Sequence, residues 1–426
     1  MSNRERPAKP HLYIAIPAMD ELDFLPHCLT SIASQQTDFS FSVYVCVNQP
    51  DEWWQQEDKR AICERNAALI SFLTRYSPFP IHLIDKSSQG KGWKGKHFGV
   101  GFARKVIFDA IFEIAEKEDI IISLDADTQF GSGYFQSVGH FFNAHPTLHV
   151  LANPYYHPLK TLSSSAVHLP DNLMMSGNEE NDRAVLRYEL YLRNWHINMS
   201  KAASPYAFTA LGSAIAVRVQ ALQKIGGITP VKSGEDFYLL QKLRKMGRIG
   251  QWNSELVFPS ARLSDRVFFG TGPAMIKGIK EGWDSYPIFH HALFQEIGNS
   301  YHAIEQLFTE DIDLPFLQFL KEQCKEENLW APLRKNAKDL PHFTHAFHEK
   351  ADALRIFQYI RTQHKTHPIR DEDALRENLQ HWLQTPLPNF LSANFSFKDL
   401  TTPQLNLLRD LLFEIEGDTR SYLDCS

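Results

Sequence analysis

Three short stretches carry residue types that could do chemistry. Ser123-Leu124-Asp125-Ala126-Asp127-Thr128 closes the apolar run Ile120–Leu124, so two carboxylates stand two residues apart where a strand should end. In open α/β sheets, ligands bind beyond the carboxyl ends of the strands. Two acids held that close repel one another, and a divalent cation removes the repulsion. Mg²⁺ and Mn²⁺ are held by one or two carboxylates plus phosphate oxygens, without a full protein cage. The same pair would also serve as an acidic strand-to-turn cap, since Asp favours turns. Gly234-Glu235-Asp236 opens a helical pattern. Acids in a first turn complement the helix dipole, and an Asp there can also take a proton from an incoming hydroxyl.

The third stretch is Gln89–Lys105, with Lys91, Lys94, Lys96, Arg104 and Lys105 among glycines and no acid between Asp85 and Asp109. Glycine lets backbone N–H groups approach a phosphate closely; the alternative is a solvated loop. Gly90–Lys96 also has the G-x-x-x-x-G-K spacing of an NTPase phosphate loop. Against that reading, His97 stands where a Ser or Thr would hold Mg²⁺. The preceding strand also ends near Asp85, too far upstream for a tight strand–loop–helix turn. Arg262 and Arg266 follow the last strand pattern and suit either phosphates or local acids. His342, His345 and His348 look like a metal face, but Phe343 and Phe347 one turn apart predict a buried stripe with the histidines on its flank. Trp53-Trp54 and Tyr155-Tyr156 suit packing better than sugar stacking.

The elements that must position these residues alternate. His11–Ala18, Phe41–Asn48, Ile81–Asp85 and Ile120–Leu124 read as strands. Helical patterns over Leu22–Ser34, Asp58–Tyr76 and Phe98–Glu116 separate them, which means βαβ units and a largely parallel sheet. Beyond Asp127, helices are expected over Gly131–Asn143, Asp182–Met199 (a surface helix by its charges) and Gly234–Met246. A strand is expected over Ala207–Val217, and a loop over Pro154–Asn181. From Pro273 to Glu416 the pattern is helical, with breaks near Pro315, Pro332, Pro341 and Pro386–Phe390, and Phe269–Ala274 reads as a linker.

A chain of 426 residues suggests two domains, and 43% hydrophobic with 22% charged residues is the balance of a globular protein. The net charge of −6 gives no global field toward nucleic acid or an anionic membrane, so any phosphate site is local. Five scattered cysteines without a C-x-x-C pair point to a reducing, cytoplasmic setting. No apolar stretch approaches the ~18–20 residues needed to span a bilayer.

In order and spacing, these pieces resemble the family 2 glycosyltransferases of the GT-A fold over about residues 10–270. Ile14–Glu21 with Phe24-Leu25 and Cys28-Leu29 resembles the opening strand and helix of that family, with Met19 and Asp20 as departures. Gly101–Lys105 resembles its Gly-x-Ala-Arg-Asn stretch, with Lys105 in place of Asn. Leu124–Asp127 resembles the D-x-D element. Gly212-Ser213-Ala214, Arg218, Ile225-Gly226-Gly227 and Gly234-Glu235-Asp236 resemble the acceptor-side strand and Glu-Asp motif. The strand Leu256–Arg262 lacks the His that completes many GT-A metal sites. Residues 275–426 would form a separate helical domain.

The resemblance implies an α/β fold of GT-A type that moves a sugar, hexosyl or related, from a nucleotide-diphosphate donor to an acceptor hydroxyl with inversion. Pro17, Asp20 and Asp85 would line the nucleotide pocket. Asp125 would face the ribose and the Mn²⁺ or Mg²⁺, and Asp127 would bind that metal. Arg104 and a loop lysine would offset the diphosphate charge, and Asp236 would be the base, with Glu235 the next candidate. The acceptor could be a glycan, a lipid or a small molecule. No nucleic acid partner is expected, and no basic amphipathic face indicates a membrane. The alternative is a non-catalytic nucleotide-sugar-binding protein or scaffold of the same fold.

Overall fold

The computed structural model describes residues 9–161, 166–171, 173–175, 177–251, 254–265 and 270–425, with side chains to Arg420. The chain divides into two compact units. The first holds residues 1–163, 167–181 and 210–276, and the second 164–166, 182–209 and 277–426. The split near residue 276 follows the expected linker, of which Phe269 lies outside the described residues. Residues 182–209, expected with the first unit, belong to the second.

In the first unit, β1 (Leu12–Ala18), α1 (Leu25–Ala33), β2 (Phe41–Asn48), α2 (Arg60–Thr74), β3 (Ile81–Lys86), α3 (Val100–Phe112) and β4 (Ile120–Ser123) repeat the strand–helix alternation. Then come β5 (Gln129–Phe130), α4 (Tyr134–Ala144) and β6 (Val150–Ala152). After α5 (Glu179–Lys201), the chain returns through β7 (Ile215–Arg218), α6 (Val219–Lys224), α7 (Glu235–Met246), β8 (Ile249–Gly250) and β9 (Val257–Phe258).

Seven strands form one sheet in the order β3-β2-β1-β4-β7-β6-β8, and β5 pairs with β9. Strands β1–β4 are mutually parallel, whereas β7 runs antiparallel to both β4 and β6. All seven residues of β1 are buried, as the unbroken apolar run of a strand covered on both faces requires. One cover is α3, which packs on β1 and β2 with Ala103, Ile107, Phe108 and Ile111 buried, while α1 buries Leu25, Cys28, Leu29 and Ile32 and meets β5. Each large apolar side chain buried this way contributes ~1.5–3 kcal/mol before the entropy of ordering it.

The Ala207–Val217 strand was expected too long: only Ile215–Arg218 pairs, since small residues without β-branching give the earlier part little reason to extend. The strand expected over Leu256–Arg262 shortens to the two residues of β9, with Pro259, which has no N–H for a ladder, directly after it.

The second unit is helical. Alongside α5 it contains α8 (Thr271–Glu281, which starts in the first unit), α9 (His291–His302), α10 (Ile304–Leu307), α11 (Pro315–Cys324), α12 (Trp330–Asn336), α13 (Leu340–Lys350), α14 (Ala353–Thr366), α15 (Asp371–Trp382) and α16 (Thr402–Cys425). Pro315 and Pro341 sit in the first turns of α11 and α13, where a missing N–H costs nothing.

Helix α5 was expected on the surface and is instead buried nearly all round. Its charges are paired far along the chain: the Arg193 guanidinium donates to Glu189 at 2.9 Å and also to Glu416 on α16. Trp195 packs on Phe289, Phe294 and Phe357 at 5.8, 5.3 and 5.6 Å. His196 is held neutral there, its pKa driven down to about 3 by burial and then by Arg420. On α13, Phe343 and Phe347 are fully buried, and His342 bonds Asp339 at its own helix start, so that histidine run is a helix flank. No described helix is long and apolar enough to cross a membrane.

Candidate active site at the β1–β4 switch point

Strand β1 pairs with β2 along its whole length but with β4 only from Leu12 to Ala15. Pro17 explains part of this, because it has no N–H to continue the second ladder. Beyond that point the two strands part: the chain goes on from β1 to β2 and from β4 to β6, which lie in opposite directions along the strand order. Such a switch point is where open α/β sheets bind ligands. Asp20 and Glu21 follow β1, and Asp125 and Asp127 follow β4.

Asp20 has a left-handed backbone, with φ 58°, that a non-glycine residue adopts only when held. Its amide donates to Asn66 Oδ1 at 2.8 Å, and its carboxylate accepts from Arg65 at 2.5 Å. Asn66 in turn donates to Gln49 Oε1 at 2.7 Å, and Gln49 to Cys63 Sγ at 3.0 Å. This polar chain through β2 and α2 was not visible in the sequence.

A further contact holds the D-x-D stretch. Arg262 donates through Nε to Asp127 Oδ2 at 2.9 Å and through Nη2 to both oxygens of Glu21 at 2.7 Å. Its guanidinium also lies 3.8 Å from the centre of the Phe24 ring. Of the two readings of Arg262, pairing with local acids is the one seen. Arg266 lies outside the described residues.

Arg104 is buried, and its two terminal nitrogens bond Asp125 and Glu235. It therefore joins the end of β4 to the start of α7. Its room comes from glycines. A Cβ on Gly212 would lie 2.3 Å from Arg104 Nη2, and one on Gly101 would lie 2.4 Å from the Val231 carbonyl oxygen. Gly234, with φ 79°, turns the chain so that Glu235 and Asp236 open α7. Both terminal nitrogens being committed to carboxylates, this geometry makes Arg104 a brace between two acids.

Asp236 is the perturbed acid. Burial first, then Glu235, push its carboxyl up to about 7, against the lowering effect of Arg104 and the Phe237 amide. A base is most effective when its pKa lies near the working pH. Cys28 lies beneath the same acids: burial, then Asp127, Glu21 and Asp125, push its thiol far up, so it is an inert neighbour.

Asp85 and the glycine loop are differently engaged. Asp85 Oδ1 accepts from the Ser87 and Ser88 amides at 3.0 and 2.9 Å, and Oδ2 accepts from Lys91 at 3.0 Å. Burial works against the charge, but the Ser88 and Ser87 contacts and Lys91 outweigh it and hold Asp85 down at about 2. In the loop, the Gly90 amide donates to Asp51 at 2.7 Å and the Gly95 amide to Glu52 at 2.9 Å. Those two amides are thus turned to the protein's own carboxylates. Residues 87–99 separate β3 from α3, which also removes the tight turn a phosphate loop needs. Trp54 donates to the Ser87 carbonyl at 2.8 Å, and Tyr155 and Tyr156 are fully buried, so these aromatics pack.

Glu21, Asp125, Asp127, Glu235 and Asp236 bring five carboxyl groups to this region, with Arg104 and Arg262 among their described counter-charges, a concentration of acid that suits a cation. Asp125 is 41% exposed, and the described residues bring the Asp127 carboxylate only the Arg262 fork on Oδ2, leaving Oδ1 to ligate. Two carboxylates with phosphate oxygens are a sufficient set for Mg²⁺ or Mn²⁺. Among the described residues no group of three or more His, Cys, Asp or Glu side chains forms a metal cage.

No family model matches the sequence, and no curated protein matches it. Among solved structures, the chain is similar to S. aureus TarS 1–349 in complex with UDP-GlcNAc, at 14% identity and a TM-score of 0.40 over 98% of this chain and 92% of that one. It is also similar to the mannosyltransferase PcManGT from Pyrobaculum calidifontis with GDP-Man and Mn²⁺, at 14% identity and a TM-score of 0.35 over 80% and 87% of the two chains. A third similarity is to GalNAc-T7 with UDP, GalNAc and Mn²⁺, at 12% identity and 0.38 over 81% and 58%. At such identities and scores the likenesses carry nothing about chemistry, which rests on the side chains above.

Proposed function

We propose that the first unit transfers a sugar from a nucleotide-diphosphate donor to an acceptor hydroxyl, with inversion, at the β1–β4 switch point. The observation that carries this reading is the Arg104 brace. It puts Asp125, at the strand end where a donor would bind, and the carboxyl-bearing first turn of α7 into one site.

In the proposed reaction the acceptor oxygen attacks the anomeric carbon, and the bond from that carbon to the phosphate oxygen breaks. The nucleoside diphosphate leaves with the electron pair, and the hydroxyl proton passes to Asp236. A pKa near 7 suits Asp236 to that transfer, since it is largely ionised just above neutrality and still basic enough to hold a proton. Arg104 fixes Glu235, and with it the first turn of α7, so the base is aimed from a rigid helix. Asp125 and Asp127 would hold Mn²⁺ or Mg²⁺, which offsets the charge that grows on the leaving diphosphate. Pro17 and Asp20 would border the nucleotide, and Asp85 would shape that border through its loop. A cytoplasmic setting remains part of the proposal, and the acceptor class is left to experiment.

The test is a thermal-shift screen with UDP-, GDP- and dTDP-sugars, and a CMP-sugar as the monophosphate control, with Mn²⁺ and with EDTA. A true donor at a hundredfold excess over its Kd stabilises the native state by ~2.7 kcal/mol. A shift with one nucleotide class that disappears in EDTA supports the reading. No shift with any of them removes it.

A further inference from the structure

The Arg262 fork has a consequence for how the site fills. Arg262 touches Asp127 with both Nε and Nη2, at 2.9 and 2.8 Å, while Nη2 also reaches both Glu21 oxygens. The three side chains are only 12%, 17% and 8% exposed, and Phe24 covers the guanidinium face. A planar, delocalised cation held by two carboxylates and an aromatic ring is a strong local contact, because little water screens it. Asp127 is also the residue that the proposed reading gives to a divalent cation; with Oδ2 on the guanidinium, a cation on Oδ1 would sit against a fixed positive charge and share a carboxylate already half neutralised.

We propose that Arg262, anchored by Glu21, is a built-in counter-ion that competes with a divalent cation for Asp127. This rests on the D-x-D reading of the site and adds a positioning residue to it. Arg262 supplies a positive charge of the chain's own and keeps Asp127 oriented. A cation arriving alone meets that positive charge at close range and binds weakly. A diphosphate offers Arg262 a different anion, so cation and donor favour one another's binding, a coupling that is reciprocal by linkage. The device explains why the loop after β9 carries an arginine that reaches back across the sheet edge to two acids from different strand ends.

The experiment measures Mn²⁺ alone by calorimetry and by the loss of its free-ion EPR signal, in the full chain and in Arg262→Gln, Asp127→Asn and the double variant. Removing a competing guanidinium should tighten Mn²⁺ binding about tenfold in Arg262→Gln. General damage to the fold could only weaken binding. In the Asp127→Asn background the same substitution should change affinity by less than about twofold, because the coupling partner is gone. If Arg262→Gln does not fold, Arg262→Lys serves: it keeps the charge but loses the fork, and Mn²⁺ should still bind more tightly than in the wild type. Equal or weaker Mn²⁺ binding in these variants overturns the proposal. So does an equal gain in the Asp127→Asn background, which would mean a general charge effect. Nucleoside-diphosphate release from sugar donors judges the transferase reading separately, so one can fail while the other stands.

Discussion

Asp236 ties stability to pH in a direction that the site's chemistry requires. Its carboxyl moves from 3.8 to about 7 on folding, a difference of roughly three units. At 1.36 kcal/mol per unit that is ~4 kcal/mol as a ceiling. Coupling to Glu235 and partial contact with solvent bring the expected effect to about 1–2 kcal/mol. A raised folded pKa means that the native state binds the proton more tightly than the unfolded chain. Its contribution is therefore complete below pH 3.8, declines as pH rises, and is lost once pH passes about 7. Asp236→Asn is nearly isosteric and never ionises. Below about pH 3.8, where Asp236 is protonated in both states, the variant and the wild type should have similar stability. By pH 8 the variant should be more stable by about 1–2 kcal/mol, since it carries no charge beside Glu235 and Asp125. Urea unfolding at a series of pH values, followed by circular dichroism, reads this directly. A stability difference that stays flat between pH 5 and 8, or that favours the wild type at high pH, would refute the placement of an uncompensated carboxyl at this helix start.

Further expectations concern the brace and its surroundings. Arg104→Gln removes the charge that lowers the Asp236 pKa, so the acidic limb of the pH–rate profile should move to higher pH, with Arg104→Lys restoring part of the shift; an unmoved limb contradicts the brace. Gly212→Ala places a methyl 2.3 Å from Arg104 Nη2 and should lower turnover by disturbing that guanidinium while leaving the far-UV spectrum native. Gly101→Ala meets backbone at 2.4 Å and should cost stability instead, about 1–3 kcal/mol by overpacking, measured by thermal unfolding.

The parallel half of the sheet was legible because its strands are unbroken Val and Ile runs with helices between them. β1, β2 and β3 fall within a residue of the expected bounds. The far edge of the sheet was not, since β6 has three residues and β8 two, too few for a periodic signal. Helix α5 misled for a physical reason. Arg193 is a surface residue by composition, and a partner 223 residues away, Glu416, helps to keep it buried.

The site shows the same division. Asp125, Asp127, Glu235 and Asp236 announce themselves by type and local spacing, as did Arg104 by its glycine neighbours. What those residues do to each other did not, because Arg104 meets Glu235 across 131 positions and Arg262 meets Glu21 across 241. Glu21 carried no local signal beyond its place after β1. The glycine loop looked like a phosphate cradle until Asp51 and Glu52, well upstream, were found on its amides.

The most direct test of the central claim is nucleoside-diphosphate release by wild type and Asp236→Asn, using the sugar donor that raises the unfolding midpoint. Loss of a general base lowers rate by ~10²–10⁴, so release should fall by that order while donor affinity, read from the same thermal shift, stays within a few-fold of wild type. Release by Asp236→Asn at the wild-type rate would contradict the account, leaving Asp236 as a partner of the helix dipole and the proton without its acceptor.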